Sequence, residues 1–375
     1  MIMNKLSNSS KSGLIKRSIT AVCLTLVLFP TILFGNWVFF IVFFFLAVVA
    51  IHEVLSTPGI KRYNWFVKGV VYLFVLSFIY WAFIKNILRS PDSPSYMNPF
   101  TNGGVFSLSD IFVSVTGITL YALVLFLIAI IDPKVQLQDV TYLFTVGLLI
   151  ALGFMGIYFI RFFPNSTGFV QNPNFQNATL NVSWTNESIS LGNYFTEYYS
   201  AKGVNQNLAS SLPIFYVMIG TWSSDVGAYF FGMLFGKHKM NPRISPHKTW
   251  EGFFGGVLFC MVLSLGFAAI MEFCFGLPLI PGLLQFSSSP ALQKMGLFNG
   301  VCWPFLILIT LSFPFVGNVG GFLFSLIKRQ YGIKDFGRIF PGHGGVIDRF
   351  DSIFTNCIVT TIILWITAYG WNLLI

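Results

Sequence analysis

The sequence predicts an all-α polytopic membrane protein with about nine transmembrane helices, some of them broken. Of the 375 residues, 55% are hydrophobic and only 9% are charged, whereas soluble domains carry roughly 25% charged residues. Apolar stretches of about 20 residues, the length that a bilayer-spanning helix needs, recur along the whole chain. Too little charge remains to cover a soluble surface, so the predicted solvent is lipid.

Nine apolar stretches define the predicted spans. They lie at 18–35, 37–51, 66–84, 111–131, 140–160, 212–235, 253–275, 301–327 and 353–373. The N-terminus is polar and basic, and the first apolar stretch runs on into the second, which favours an uncleaved first span over a signal peptide. The eighth stretch contains Pro304, Pro314 and several glycines. We therefore expect it to be broken or bent, as helices are where they line a cavity within a protein.

Basic residues collect on one side when the spans are threaded alternately. The N-terminus, Lys68 and four loops carry 17 of the 22 lysines and arginines. These loops are 52–65, 132–139, 236–252 and 328–352. Cationic loops stay on the cytoplasmic side of a membrane, so we expect a cytoplasmic N-terminus and an outer C-terminus.

Two regions follow from where the chemistry-bearing motifs lie. Residues 1–210 form an N-terminal membrane region with five spans and a polar outer loop at 161–210, to which we assign no chemistry. Residues 211–375 form a catalytic membrane region that carries both stretches described next.

The first stretch, residues 220–256, places a carboxylate inside a span and cations after it. It reads GTWSSDVGAYFFGMLFGKHKMNPRISPHKTWEGFFGG. Asp225 lies in the apolar part, where an ionisable group is costly and usually faces a partner or a wet cavity; a structural hydrogen bond is the alternative. Ser245 and Lys248 belong to a basic, glycine-rich segment that is suited to a phosphate. Membrane topology or attraction to anionic lipid would also explain its charge.

The second stretch, residues 325–352, combines paired aspartates with glycines and cations. It reads SLIKRQYGIKDFGRIFPGHGGVIDRFDS. Asp348 and Asp351 are three residues apart, which places both on one face of a helix. Two such carboxylates repel unless a divalent cation joins them, and oxygen ligands suit Mg²⁺. Gly344 and Gly345 allow a tight turn and a close approach to a ligand. The cations of this stretch are Lys328, Arg329, Lys334, Arg338 and Arg349.

These features together predict phosphoryl or nucleotidyl transfer to or from a lipid, since that chemistry needs a metal, positive charge for phosphates, and access to both bilayer and cytosol. A solvated cytosolic loop would explain the cations but not the aspartates and glycines. The spacing does not identify the nucleotide.

The second stretch also resembles the signature of phosphatidate cytidylyltransferases, or CDP-diacylglycerol synthases. That signature reads S-x-x-K-R, four residues, K-D, then P-x-H-G-G-x-x-D-R-x-D. Every fixed position is present: Ser325, Lys328, Arg329, Lys334, Asp335, Pro341, His343, Gly344, Gly345, Asp348, Arg349 and Asp351. The upstream stretch with Asp225 and SPHKTWEG is similar to the family too, and no matching motif precedes residue 210.

The resemblance implies transfer of a cytidylyl group from CTP to phosphatidate, with CDP-diacylglycerol and pyrophosphate as products and Mg²⁺ as cofactor. We expect one or two divalent ions and allow for a monovalent ion. Asp348 and Asp351 would hold the metal, and Asp225 would complete or orient its shell. Asp335 is either a further ligand or an ion-pair partner of Lys334 or Arg338.

The remaining signature residues would act on the substrates. Lys328 and Arg329 would balance phosphate charge, and His343 would donate to a phosphate or stabilise the turn. The expected substrate-binding residues are Ser245, Lys248, Lys334, Arg338, Gly344, Gly345 and Arg349. One position departs from the bacterial pattern, which often has a metal-binding aspartate where this chain has Gly321. Asn318 and Asp225 are the candidates to replace it.

Three alternatives stay open at this point: a CTP-dependent polyprenol or lipid kinase, which would release CDP; a transporter with a broken-helix site; and an inactive membrane scaffold. The expected partners are CTP and phosphatidate in the membrane, without nucleic acid, and a homodimer is possible. The multi-pass chain is expected in a bacterial cell membrane, with the endoplasmic reticulum as the alternative.

Overall fold

The computed structural model describes residues 8–59, 61–88, 108–162, 203–204, 206–277, 279, 303–340 and 344–374. Over these residues the chain forms nine long helices and one β-hairpin. The helices are α1 (Asn8–Phe34), α2 (Asn36–Ser56), α3 (Trp65–Leu88), α4 (Leu108–Ile131), α5 (Leu137–Phe162), α6 (Gln206–Phe235), α7 (Trp250–Ala269), α8 (Trp303–Gln330) and α9 (Ile347–Leu374). The antiparallel hairpin consists of β1 (Lys239–Asn241) and β2 (Ser245–Thr249). A π-helical turn, Ile270–Cys274, extends α7.

Each predicted span coincides with one of these helices, and the all-α polytopic membrane class is confirmed. Within the described residues, five helices are long and apolar enough to cross a membrane: α2, α3, α5, α7 with its π-helical turn, and α8. Shorter apolar segments lie on α1 and α4. The number of spans that cross the bilayer stays a prediction.

The eighth span is one continuous helix over Trp303–Gln330, so a break is wrong, while the bend expected as its alternative stays a prediction. Pro304 lies in the first turn of α8, where a missing N–H leaves no helical hydrogen bond unmade. Pro314 lies inside the helix and deprives the carbonyl of Thr310, four residues earlier, of its usual donor. The Cys260 thiol on α7 donates to that carbonyl, with 3.5 Å between Sγ and O. A neighbouring helix thus supplies the missing donor, as it does for other prolines in membrane helices.

Several of the predicted cytoplasmic loops contact one another at one end of the helix bundle. We call this end the basic end. Arg62, between α2 and α3, forms an ion pair with Asp139 at the start of α5, with 2.7 Å between Nη2 and Oδ2. Tyr331, directly after α8, packs its ring against that of Tyr142 in α5, with centroids 5.0 Å apart. The connections after α2, α4 and α8 therefore lie together.

The other end of α5 contacts a different set of helix ends. Arg161, which is fully buried, donates from Nε to the carbonyl of Ile32 near the end of α1 over 2.6 Å. Its Nη1 donates to the hydroxyl of Ser210 near the start of α6, also over 2.6 Å. The helix ends therefore alternate as the distribution of charge predicted. That the basic end faces the cytoplasm stays a prediction.

Helices α6 and α7 pack with their backbones in contact. A Cβ at Gly252 would lie 2.6 Å from the carbonyl oxygen of Ala228, and one at Gly256 would lie 2.7 Å from that of Ser224. Small residues permit this approach between membrane helices. The contact holds Asp225 of α6 close to the first turns of α7.

The predicted N-terminal and catalytic regions share an interface between α5 and α9. A Cβ at Gly153 would lie 2.6 Å from Cγ of Phe354, and one at Gly156 would lie 3.0 Å from the backbone carbon of Cys357. The helix that carries the paired aspartates therefore packs on a helix of the first region. The division at residue 210 stays a prediction.

Candidate functional site

The two chemistry-bearing stretches meet at the basic end, where the hairpin contacts α8. Arg329 near the end of α8 donates to the carbonyl of Ile244 in the hairpin, with 3.4 Å between Nε and O. Lys248 on β2 reaches the side chain of Asn318 on α8, with 2.7 Å between Nζ and Oδ1. The two ends of the hairpin are held together, because the carboxylate of Glu251 at the start of α7 accepts the backbone N–H groups of Lys237 and His238. The hairpin thus holds Lys248 over α8.

Asp225 and Asp351 come together around one hydroxyl. The Oγ of Ser352 lies 3.3 Å from Oδ2 of Asp225 and 3.4 Å from Oδ1 of Asp351. A hydroxyl has a single hydrogen, so it donates to one carboxylate at a time. In the described part of the chain, Oδ1 of Asp225 and Oδ2 of Asp351 accept no hydrogen bond. Asp225 is exposed, although α7 packs against the same part of α6. We call these two residues the carboxylate pair.

Lys248 supplies positive charge to the carboxylate pair. Its ammonium interacts electrostatically with both Asp225 and Asp351, and it lies 4.6 Å from the ring centroid of Phe322. Burial lowers the pKa of Lys248, and the two carboxylates oppose that shift. The site therefore combines two carboxylates with a lysine whose pKa is lower than usual.

Asp348 has a different environment from Asp351, although both lie in the first turns of α9. Its Oδ1 accepts an ion-pair hydrogen bond from Nζ of Lys328 over 2.8 Å, and the two side chains are 3% and 12% exposed. Its Oδ2 accepts the backbone N–H groups of Phe336 and Gly345, over 2.8 and 2.9 Å. Both oxygens of Asp348 thus bind the protein. In this structure Asp348 organises the loop between α8 and α9.

Gly344 meets a conformational and a steric requirement of this loop. Its φ is +87°, a region that side chains disfavour. It also exchanges two backbone hydrogen bonds with Phe340, at 3.0 and 3.2 Å. A Cβ at this position would lie 2.8 Å from Oδ2 of Asp348. Gly344 therefore has the backbone conformation that favours glycine. Pro341 to His343, and with them the role predicted for His343, lie outside the described residues.

The other predicted residues lie around this centre. Ser245 begins β2 and is half-buried, paired with Asn241. Five side chains are exposed: Arg329, Lys334, Asp335, Arg338 and Arg349. Across the described residues, no group of three or more His, Cys, Asp or Glu side chains is placed to hold a metal ion. The ligand set of Asp225, Asp335, Asp348 and Asp351 stays a prediction.

The structure gives Gly321 a specific neighbour. A Cβ at this position would lie 2.9 Å from Nζ of Lys248. An aspartate there, as in the bacterial pattern, would approach Lys248. In this chain Asn318, one turn earlier on α8, contacts the ammonium instead.

Sequence reasoning missed Glu53, which lies near the end of α2 and is 3% exposed. Its carboxylate accepts the backbone N–H groups of Val346 and Ile347, where α9 begins. An acidic residue in a mainly apolar helix was the signal that singled out Asp225. The predicted span ended at residue 51 and left Glu53 in the loop 52–65, whereas the helix continues to Ser56.

Comparisons with known proteins give matches over most of the chain. A model of the cytidylyltransferase family matches residues 15–367. A phosphatidate cytidylyltransferase of Staphylococcus saprophyticus is 26% identical over 336 residues, which cover 90% of this chain and 93% of that protein. One from Staphylococcus epidermidis is 27% identical over 336 residues, with the same coverage. One from Bacillus subtilis is 41% identical over 139 residues, 37% of this chain and 42% of that protein. The similarity therefore extends into the first five helices, where no motif was found.

Proposed function

The chain belongs to the cytidylyltransferase family, and from this premise we propose that it transfers a cytidylyl group from CTP to phosphatidate. The products are CDP-diacylglycerol and pyrophosphate. Relatives named phosphatidate cytidylyltransferase that align over nine-tenths of the chain support the substrates. The observation that carries the proposal is the carboxylate pair, Asp225 and Asp351, held by Ser352 beside Lys248.

We further propose that the carboxylate pair holds Mg²⁺. Each of the two carboxylates keeps one oxygen without a partner among the described residues. Protein sites commonly bind Mg²⁺ through one or two carboxylates and complete its shell with water and substrate phosphates. Two available oxygens therefore fit this ion without a larger acidic cluster. When bound, Mg²⁺ stabilises negative charge on the phosphates.

The protein's own groups position the substrates for in-line displacement. A phosphate oxygen of phosphatidate forms a bond to the α-phosphorus of CTP while the bond to the β-phosphate oxygen breaks, and pyrophosphate leaves. No general base is needed, because the phosphate dianion is already a nucleophile. Lys248 neutralises phosphate charge next to the carboxylate pair. The exposed Lys334, Arg338 and Arg349 attract the triphosphate from solution.

Asp348 acts in this proposal through the loop. Both of its oxygens bind Lys328 and backbone N–H groups, so it holds the segment that carries Gly344 and Gly345. A close-packed glycine backbone with an adjacent cation suits a phosphate group. His343 belongs to the same signature segment and is proposed to donate to a phosphate. Asp335 is proposed either as a further ligand or as a partner of the neighbouring cations.

The proposed location is a bacterial cell membrane. The similar proteins come from Staphylococcus and Bacillus, and they favour this location over the endoplasmic reticulum. The homodimer stays a prediction.

The test is a transfer assay on the purified chain with CTP, phosphatidate and Mg²⁺, and with EDTA as the control. Pyrophosphate and CDP-diacylglycerol should form in equal amounts, and EDTA should stop the reaction. Release of CDP together with a phosphorylated lipid would assign a kinase. Movement of a solute across vesicles without lipid turnover would assign a transporter.

A further inference from the structure

We propose that Glu53, from the N-terminal region, is a positioning residue for cytidylyl transfer. Its carboxylate fixes the first turn of α9 and thereby sets the position of Asp351 relative to Asp225. This inference rests on the proposed function and deepens it, because it gives the second helix a role in the site.

The contact joins parts of the chain that are 293 residues apart. The N–H of Val346 donates to Oε1 of Glu53 over 2.9 Å, and that of Ile347 donates to Oε2 over 3.1 Å. The first N–H groups of a helix have no partner within the helix, and negative charge is favourable there. Glu53 thus provides α9 with a cap from another helix, using one oxygen for each N–H.

The loop before α9 encloses this carboxylate. A Cβ at Gly337 would lie very close to Oε1 of Glu53, and one at Gly345 would contact both of its oxygens. Glu53 therefore lies against the backbone at both Gly337 and Gly345, and neither position has room for a side chain.

Consecutive backbone groups connect Glu53 to the reacting centre. The N–H of Gly345 donates to Asp348, whereas the next two N–H groups donate to Glu53. Asp348 and Glu53 thus accept the three consecutive backbone N–H groups at the start of α9. Asp351 lies one turn further along the same helix, opposite Asp225 on α6. A shift of α9 would change the separation of the carboxylate pair.

Packing alone does not explain an acidic residue at this position. The other buried residues of α2 are apolar, among them Ala50, Ile51, Val54 and Leu55. A buried carboxylate is unfavourable unless its oxygens accept hydrogen bonds. An apolar side chain would fill the space on α2 but would leave the amides at the start of α9 without acceptors. The chemistry of Glu53 therefore matches the needs of the loop.

The first experiment compares Glu53→Ala and Glu53→Gln with a control variant, Glu272→Gln. Glu272 lies in the π-helical turn that follows α7, at the end of that helix away from the hairpin. A 1 Å displacement of reacting groups costs roughly 100-fold in rate, so we expect kcat of Glu53→Ala to fall by about that factor per folded molecule. The KM for CTP should change little, and Glu53→Gln should lose less activity because its amide oxygen retains one of the two hydrogen bonds. Wild-type kcat in folded Glu53→Ala would overturn the inference, and so would an equal loss in Glu272→Gln.

The second experiment is a double-mutant cycle with Gly337→Ala. This change alone should reduce kcat, because its Cβ collides with Glu53. In the Glu53→Ala background the collision is gone, so Gly337→Ala should cost little more. Non-additivity of this kind shows that two residues act through one contact. Additive losses would overturn the inference.

Hydrogen exchange does not depend on enzyme turnover, so it tests the role of Glu53 separately from the proposed function. Hydrogen exchange at the amides of Val346 and Ile347 should become faster in Glu53→Ala and stay unchanged in Glu272→Gln. Unchanged exchange in both variants would overturn the inference whatever the substrate. If the wild type transfers cytidylyl to another lipid, the proposed acceptor is wrong, and the cycle is measured with that lipid instead.

Discussion

Both ends of the bundle place charged side chains between helices, but they use them differently. At the end away from the hairpin, Arg161 donates to the neutral oxygens of Ile32 and Ser210 and joins three helices. At the basic end, Asp225 and Asp351 share one hydroxyl and keep oxygens that accept no hydrogen bond from the described residues. The hydrogen bonds of Arg161 connect helices and stabilise the fold. Carboxylate oxygens that accept no hydrogen bond from the described residues can bind a ligand.

The strongest test of this difference is to neutralise the carboxylate pair. Asp225→Asn and Asp351→Asn should each lower activity by about 10³-fold, because they remove several kcal/mol of metal-dependent charge stabilisation. Thermal stability should be unchanged or higher, since repulsion between two carboxylates is relieved. Transfer assays and thermal unfolding of the same preparations measure both effects. Asp132→Asn, at the same end of the bundle, should behave as the wild type.

Wild-type turnover in either member of the carboxylate pair would contradict the assignment. A large loss of stability in both would show that the basic end uses its charges as the other end does.

The complementary test removes Arg161. Arg161→Met should destabilise the fold by about 3 kcal/mol, because two buried acceptors each lose their donor. The kcat of the molecules that stay folded should be unchanged. Lys61→Met is a matched exposed control and should change stability by about 0.5 kcal/mol or less. Unfolding in denaturant gives the free energies, and equal losses in the two variants would contradict the role assigned to Arg161.

The smallest expected effect concerns the protonation of Lys248. Burial lowers its pKa from the ordinary lysine value of about 10.4, so it loses its proton at a lower pH than an exposed lysine. The protonated form is the one that balances phosphate charge. We therefore expect kcat/KM to decline as pH rises through the lowered pKa. Lys248→Arg should move the decline to higher pH, because arginine keeps its charge.

Lys239→Arg, at an exposed position of β1, is the control for this profile. It should leave the alkaline decline where the wild type has it. The same decline in all three proteins would show that Lys248 is not the titrating group.

The sequence predicted most of the helices because their signal is local. A run of about 20 apolar residues defines a span without reference to the rest of the chain, and each of the nine runs coincides with a helix. The break expected in the eighth span is absent for a reason that is not local, because the donor to the carbonyl that Pro314 leaves without one comes from Cys260 on another helix. The hairpin in loop 236–252 was also not predicted, since its strands are short and polar.

For the site, the residue types and spacing in the chain were enough to identify the aspartates, the cations and the glycine turn, because those groups stand out against an apolar background. Spacing relates residues only within one helix, so it treated Asp348 and Asp351 as equivalent. Their surroundings differ because Lys328 and the loop amides donate to one carboxylate, while Ser352 lies between the other and Asp225. The packing of α2 against the start of α9 likewise brings Glu53 to its partners, since a hydrogen bond depends on position in space rather than on distance along the chain.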